Sequence, residues 1–260
     1  MNDIALELFA SEYARHRAQE GRGYSSEQLL QLPYLGTGPH APQWAIRART
    51  FDAFMKHVLR PEAKRLGRPL DVLDLGAGNG WLSYRVALEG HRAMALDIRN
   101  DSIDGLGAST TFRRQVLAME CIVAPFDAVP LAPASIDIAL FNASLHYATD
   151  LRCVLAEAIR VTRSGGRIAI LDSPFYARES DGLAMVAEKR ERFGNRADVL
   201  MALPFIEFLT KDRLRGASPE LAWKRRRVRY PLTYELRPLV AALSFRRRPS
   251  RFDLWVASAP

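Results

Sequence analysis

Gly76, Gly78 and Gly80 stand at alternate positions in VLDLGAGNGWLS, residues 72–83, and Asp74 lies two residues before the first of them. Glycines between a strand and a helix let the backbone approach a ligand closely, and the first turn of the helix offers unpaired N–H groups. A dinucleotide loop reads G-x-G-x-x-G; counted from Gly76 its third glycine would fall at Trp81, and here it comes one residue early. Asp74 is a second discriminator, because a carboxylate aimed into the loop repels a pyrophosphate and suits a ligand carrying ammonium and sulfonium charge. Asp97 closes the next apolar run, RAMALDI, 17 residues beyond Gly80. In doubly wound sheets an acid at about that distance accepts hydrogen bonds from ribose hydroxyls. Ile98 beside it can pack on an adenine face.

A second constellation follows the fourth apolar run. FNASLHYATD, residues 141–150, supplies Asn142, Ser144, His146 and Tyr147. His146 titrates in the range of a general base near neutrality; the alternative is that His146 and Tyr147 only shape the pocket wall. Tyr34, His40, Trp44 and Arg47 upstream, and Phe175 and Tyr176 after the fifth run, are candidates to meet a second substrate. For these residues ordinary packing is the competing reading, and Trp81 reads as a helix-to-sheet packing residue.

These residues need a scaffold that collects strand ends. From residue 70 to about 172, the runs LDVLDL, RAMALDI, ECIVAPF, IDIALFN and GRIAILD alternate with helical patterns, the mark of βα units around a mostly parallel sheet. Leu151, Val154, Leu155, Ala158 and Ile159 recur at helical spacing behind a Thr149–Asp150 cap, with SGG at 164–166 expected to end that helix. Before residue 70 the pattern reads as helices and loops, with a capping box at Ser25 and Gln28. RRRVRY and FDLWVAS, separated by the potential helix YELRPLVAAL, read as two closing strands. The expected organisation is a helical cap over 1–69 and a ligand-binding domain over 70–260, interrupted by a helical lid at about 175–209.

LDLGAGNG followed by ALDI, together with FNASLHY and RSGGRIAILDSP, resembles the cofactor site of class I S-adenosylmethionine-dependent methyltransferases of the type 11 kind. The resemblance covers about residues 70–175. It implies an α/β fold: a doubly wound, Rossmann-like sheet of seven strands whose last strand is antiparallel. It also implies S-adenosylmethionine as cofactor, with Asp74, Gly76 and Gly78 along the methionine moiety and Ala77 and Asn142 alongside. Asp97 and Ile98 would hold the ribose and adenine, and Phe126 and Asp127 would border the adenine. The chain departs from the common G-D-A-E pattern before L-P-F: it reads Ala124-Pro125-Phe126-Asp127 before Val129-Pro130-Leu131. It also lacks the N-P-P-Y type motif that holds an exocyclic amine in nucleobase methyltransferases. The acceptor class this favours is an O or N atom of a small-molecule or lipid-linked compound, with an RNA or protein acceptor, or a non-catalytic binder, as the alternatives.

Composition bounds the rest. The 260 residues carry a formal charge of +8, and the excess is concentrated in KRRRVRY (224–230) and FRRRPSR (245–251). Three readings stay open for these runs: a solvated edge, a site for an anionic substrate or a membrane surface, and nucleic acid, which has little support from interleaved aromatics. The N-terminus lacks a secretory pattern, and no apolar run reaches the roughly 18 residues of a membrane span, so a cytoplasmic protein is expected. Cys121 and Cys153 are too few for a disulfide framework and are expected as reduced core residues; no metal site is expected.

Overall fold

The structure, a computed structural model, describes residues 3–194, 201 and 203–260. Its strands are β1 (Asp71–Leu75), β2 (Arg92–Asp97), β3 (Met119–Val123), β4 (Ile136–Asn142), β5 (Thr162–Leu171), β6 (Lys224–Arg226) and β7 (Leu254–Ser258). They form one sheet in the order β3-β2-β1-β4-β5-β7-β6. β1 to β5 run parallel, and β7 lies antiparallel between β5 and β6. The doubly wound sheet of seven strands with an antiparallel last strand is therefore the fold.

Every residue of β1 and β4 is buried, as central strands of a parallel sheet are when helices cover both faces. Their side chains alternate between two apolar clusters. Val72, Ile138, Leu140, Ala169 and Leu171 face one side, and Leu73, Leu75, Ala139, Phe141, Ile168 and Ile170 the other. Helices α1 (Asp3–Gln19), α2 (Ser26–Gln31), α3 (Ala41–Phe54) and α4 (Arg60–Leu66) precede the sheet, with α5 (Trp81–Leu88) and α6 (Thr110–Arg113) after β1 and β2. Trp44, Phe51 and Phe54 of α3 and Leu82 and Val86 of α5 cover the first side. α3 passes into α4 through one wide turn in which the Arg60 N–H donates to Met55 O; Pro61 follows, which has no N–H to give a regular turn.

α7 (Leu151–Val161) covers the second side with Leu151, Val154, Leu155, Ala158 and Val161. The Asp150 carboxylate caps it, accepting from Arg152 N at 2.8 Å and Cys153 N at 3.1 Å. The capping box at α2 also forms, through Ser25 and Gln28. The chain continues in α8 (Glu179–Phe193), α9 (Lys211–Ala217), α10 (Leu232–Glu235) and α11 (Arg237–Leu243). Of the segment expected as a lid, α8 is described, while residues 195–200 and 202 lie outside the described residues. No helix among the described residues is long and apolar enough to cross a membrane.

Three local expectations are corrected. SGG does not end α7: the helix stops at Val161, where Thr162 Oγ1 donates to Ala158 O, and 164–166 already lie in β5 beside a register shift. Of RRRVRY only Arg225 and Arg226 are in a strand, the edge strand Lys224–Arg226, and beyond it Asp253 holds the chain off the ladder by accepting from Val228 N at 3.0 Å. Cys121 and Cys153 are free thiols, but Cys153 is exposed, since Leu151, Val154 and Leu155 take the inward face of α7.

Candidate cofactor and acceptor site

After β3 at the sheet edge the chain returns to β4 beside β1, so the loops after β1 and β4 diverge and open a crevice at the carboxyl ends of the strands. A cavity of about 370 Å³ lies there, reached by the ends of β1, β2, β4 and β5 and by α1 and α3. The glycine loop needs its glycines on steric grounds. Gly76 has φ +77°, and a Cβ on it would lie 2.5 Å from Ser144 Cβ; on Gly80, φ +81°, a Cβ would lie 2.6 Å from Met119 Cε.

Asp97 is fastened to this loop: its Oδ2 accepts from Gly78 N and its Oδ1 from Arg99 N, both at 2.8 Å. A carboxylate oxygen has two lone pairs, so each keeps one for a ligand. Burial pushes the Asp97 pKa up against those two bonds. Gly76, Ala77, Gly78, Ile98, Phe126, Asp127 and Asn142 line the same cavity, and Asn142 Oδ1 is buried with no hydrogen-bond partner among the described residues. Asp74 is corrected from a lining residue to a supporting one. It sits beneath the loop with Oδ2 accepting from Ser83 Oγ at 3.2 Å and Oδ1 without a partner among the described residues, and burial pushes its pKa up to about 7.

The opposite wall comes from the N-terminal helices. Phe9, Tyr13 and Arg17, at a spacing of four on α1, line the cavity together with Trp44 and Arg47 of α3. Tyr13 and Tyr147 share a hydroxyl hydrogen bond of 2.8 Å, and Arg17 Nε donates at 2.7 Å to Asp104, which also accepts from Asn79 Nδ2 at 3.0 Å. Burial pushes the Tyr147 pKa well up, and the Tyr13 hydroxyl adds to it, so the Tyr147 phenol is neutral.

His146 lines the cavity, and its Nδ1 has no partner among the described residues. Burial, with the charges of Lys189 and Arg47 adding, pushes its pKa down to about 3. A group held so far down is a poor proton acceptor near neutrality, which favours the pocket-wall reading of His146 over the base reading. Asp172, just past β5 with φ +51°, is a carboxylate that the sequence reading did not single out. Its Oδ1 accepts from Thr50 Oγ1 at 2.7 Å, its Oδ2 has no partner among the described residues, and burial pushes its pKa up to about 6 against the pull of Arg47. The Arg47 guanidinium lies 5.0 Å from the Trp44 ring and makes no hydrogen bond or ion pair among the described residues. Burial pushes its pKa down and Asp172 pulls it back. The cavity thus holds a cation and a buried carboxylate, each with polar atoms left to fill.

Three candidate acceptor contacts are elsewhere. Tyr34 is half exposed on the outer surface, donating to Asp52 at 2.7 Å with Arg85 over its ring. Phe175 stacks on Trp255 at 4.7 Å and bridges Leu209 and Arg251, and Tyr176 is buried against Phe208 with Arg247 donating to it. The reason is the left-handed residue Asp172: Asp172 and Pro174 reach the cavity, and the chain has turned away by Phe175. His40 binds Glu20 O at 2.7 Å, outside the cavity lining, while Trp81 both lines the cavity and packs edge-on to Trp44 and Phe51. Among the described residues no group of three or more His, Cys, Asp or Glu side chains is placed to hold a metal ion.

Residues 73–170 match the profile of the family described as "Methyltransferase domain". Among curated proteins, the malonyl-[acyl-carrier protein] O-methyltransferase of Erwinia pyrifoliae is 30% identical over 149 residues, 56% of this chain and 52% of that protein. The protein of the same name from Yersinia pestis is 35% identical over 97 residues, 37% of this chain and 34% of its own length. The chain thus spans about half the length, or less, of these relatives. Among solved structures, geranyl diphosphate C-methyltransferase from Streptomyces coelicolor A3(2) superposes with a TM-score of 0.60 at 15% identity, covering 97% of this chain and 98% of that one. The YcgJ protein of Bacillus subtilis gives 0.54 at 16% identity, covering 81% and 96%. These structural likenesses concern the fold.

Proposed function

We propose that this chain carries a class I methyltransferase domain and is an S-adenosylmethionine-dependent methyltransferase acting on an oxygen of an acidic acceptor, small or carried on a lipid or a carrier protein. The observation that carries the acceptor class is Arg47, a half-buried guanidinium in the cavity wall that makes no hydrogen bond or ion pair among the described residues. The name of the malonyl-carrier O-methyltransferases supports the same chemistry.

The residues present fit the cofactor. Asp97 keeps lone pairs that would take the ribose hydroxyls, Ile98, Phe126 and Asp127 line the wall where the adenine would lie, and Gly76, Ala77 and Gly78 would admit the methionine portion. Asn142 Oδ1 is an open acceptor on the same wall. When bound, S-adenosylmethionine supplies an electrophilic methyl carbon with a neutral thioether as leaving group. The remaining work of the protein is alignment and exclusion of water. Phe9, Tyr13 and Trp44 close the cavity over the site, Arg47 anchors the negative charge of the acceptor, and Tyr147 donates a hydrogen bond. A carboxylate oxygen arrives with its own lone pair and needs no base, which agrees with a neutral His146.

The test combines calorimetry of S-adenosylmethionine with single-turnover methyl transfer to malonyl-loaded carrier protein, free dicarboxylic acids and neutral alcohols. Cofactor binding with transfer to the acids is expected, and Arg47→Met should raise KM about 10-fold or more with a smaller effect on kcat, as loss of a charge-assisted pair does. NAD binding without S-adenosylmethionine binding, or transfer confined to neutral acceptors and indifferent to Arg47, would overturn the reading.

A further inference from the structure

Leu232, Leu236, Leu239, Val240 and Leu243 recur at the spacing of one helical face along α10 and α11. Leu236 joins the two helices into one path, its N–H donating to Leu232 O at 2.9 Å and its carbonyl accepting from Val240 N at 3.1 Å. Such a stripe ordinarily packs against a core. Here its side chains are 42–73% exposed, Phe245 extends it at 98%, and α11 buries no residue. Exposed leucines scattered singly need no explanation, but a continuous stripe marks an interaction surface.

The charge beside it has one sign. From Leu236 to Phe252 the chain contains no Asp or Glu, and it turns at Phe245 straight into Arg246, Arg247 and Arg248. Arg247 is engaged with Glu188 at 2.7 Å, whereas Arg246 and Arg248 are exposed and have no ion pair among the described residues. Of the arginines around it, Arg225 pairs with Asp253, Arg227 with Glu235 and Arg251 with both, while the exposed Arg226 and Arg229 make no ion pair among the described residues. Topology sets where this surface lies. β6 runs parallel to β5, both being antiparallel to β7, so the β6–β7 connection leaves from the edge of the sheet where the cavity opens. Phe252, near its end, lines that cavity.

We propose that α10, α11 and the Phe245–Arg248 turn form a docking surface for an anionic bilayer, with the leucine stripe and Phe245 entering the acyl boundary and the arginines meeting the headgroups. Short amphipathic helices with basic flanks lie in the interface in this way. A second copy of the chain is a poorer occupant. Six apolar side chains fall short of the 20–30 residues a side of a stable interface. The surface delivers the molecule with its cavity edge toward the membrane, where a lipid-linked acceptor resides.

Co-sedimentation of the full chain with phosphatidylcholine vesicles, with and without phosphatidylglycerol, tests this without reading methyl transfer. Binding is expected to the anionic vesicles only. Leu239→Asp with Leu243→Asp should abolish it with the melting temperature unchanged, because those side chains support no core. Arg246→Glu and Arg248→Glu should each weaken partitioning at least about fivefold at low salt and much less at high salt. Absence of binding to anionic vesicles would overturn the proposal. So would binding indifferent to the leucine variants, or a concentration-dependent dimer that those variants dissolve.

Discussion

At the scale of the residue, two of the carboxylates that line the cavity, Asp97 and Asp172, ask to be separated by experiment. Asp97 is held by two backbone N–H groups and would hold the ribose, so Asp97→Ala should remove a charge-assisted bond of about 1.5–3 kcal/mol and weaken S-adenosylmethionine binding roughly 10- to 150-fold in calorimetry. Asp172 stands opposite Arg47 with a pKa pushed up to about 6. For an acidic acceptor its ionisation is repulsive, so KM should climb as pH rises through about 6, and Asp172→Asn should flatten that climb while kcat survives. For a hydroxyl acceptor the same carboxylate would be the proton acceptor, and the variant would lose rate instead, so one pH series in wild type and variant distinguishes the two. His146→Gln should leave the pH profile from 5 to 9 unchanged in either case, because a group with a pKa of about 3 does not titrate there. Asp97 was legible in the sequence because its spacing from the glycine loop is local and its role depends on strand ends alone. Asp172 and Arg47 were not legible as a pair, since α3 must pack across the end of β5 to bring positions 47 and 172 together.

At the scale of the element, the sheet was readable because β1, β2, β4 and β5 are unbroken apolar runs punctuated by glycine and aspartate, and the parallel pairing follows from burial on both faces. The flanking elements were harder. Tyr34 looked like a site aromatic in a Gly/Pro-rich connection, yet Asp52, one helix further on, turns it outward. α1 carried a usable signal, Phe9, Tyr13 and Arg17 at intervals of four, but the polar residues between them obscure an apolar face, and what they cover is set by tertiary contact. α1 is fastened over the cavity by the Tyr13–Tyr147 hydroxyl pair and by Arg17 on Asp104. Arg17→Ala removes a charge-assisted bond and leaves Asp104 with only Asn79, so amide exchange in α1 should quicken by about 10- to 150-fold while β1 and β4 keep their protection. Equal loss of protection in α1 and in the central strands would show instead that the helix opens only with the whole fold.

At the scale of the whole molecule, the carboxylates divide into two classes whose pH dependences run in opposite directions. Burial alone would raise Asp137, at the amino end of β4, but Arg68, the Asp71 amide and Arg163 hold it below the usual range. The bond from Arg251, aided by Arg227, holds Glu235 down at about 2 against its burial. A group depressed in the folded state binds fewer protons there than in the unfolded chain, so its stabilisation is present at neutral pH and is lost as acid protonates it. Asp74 is of the other class: burial raises it from 3.8 to about 7, Asp97 adds repulsion, and only Ser83 opposes them. Between those two values the folded chain binds more protons than the unfolded one, so stability falls as pH rises through that window and stays lowered above it. Asp74→Asn removes the penalty without removing the Ser83 bond, whose acceptor the amide oxygen supplies. The ligand-free variant should therefore melt higher than wild type at pH 8, by about 2–4 °C for each kcal/mol recovered in a chain of this size, and should lose that advantage at pH 4. The same substitution takes a negative charge from beneath the glycine loop, so it should weaken S-adenosylmethionine, which is cationic at sulfur, more than its uncharged thioether product. Thermal melts at the two pH values and titration with both ligands measure the trade directly. An advantage in melting temperature that is the same at pH 4 and pH 8 would show that Asp74 is not the group that titrates.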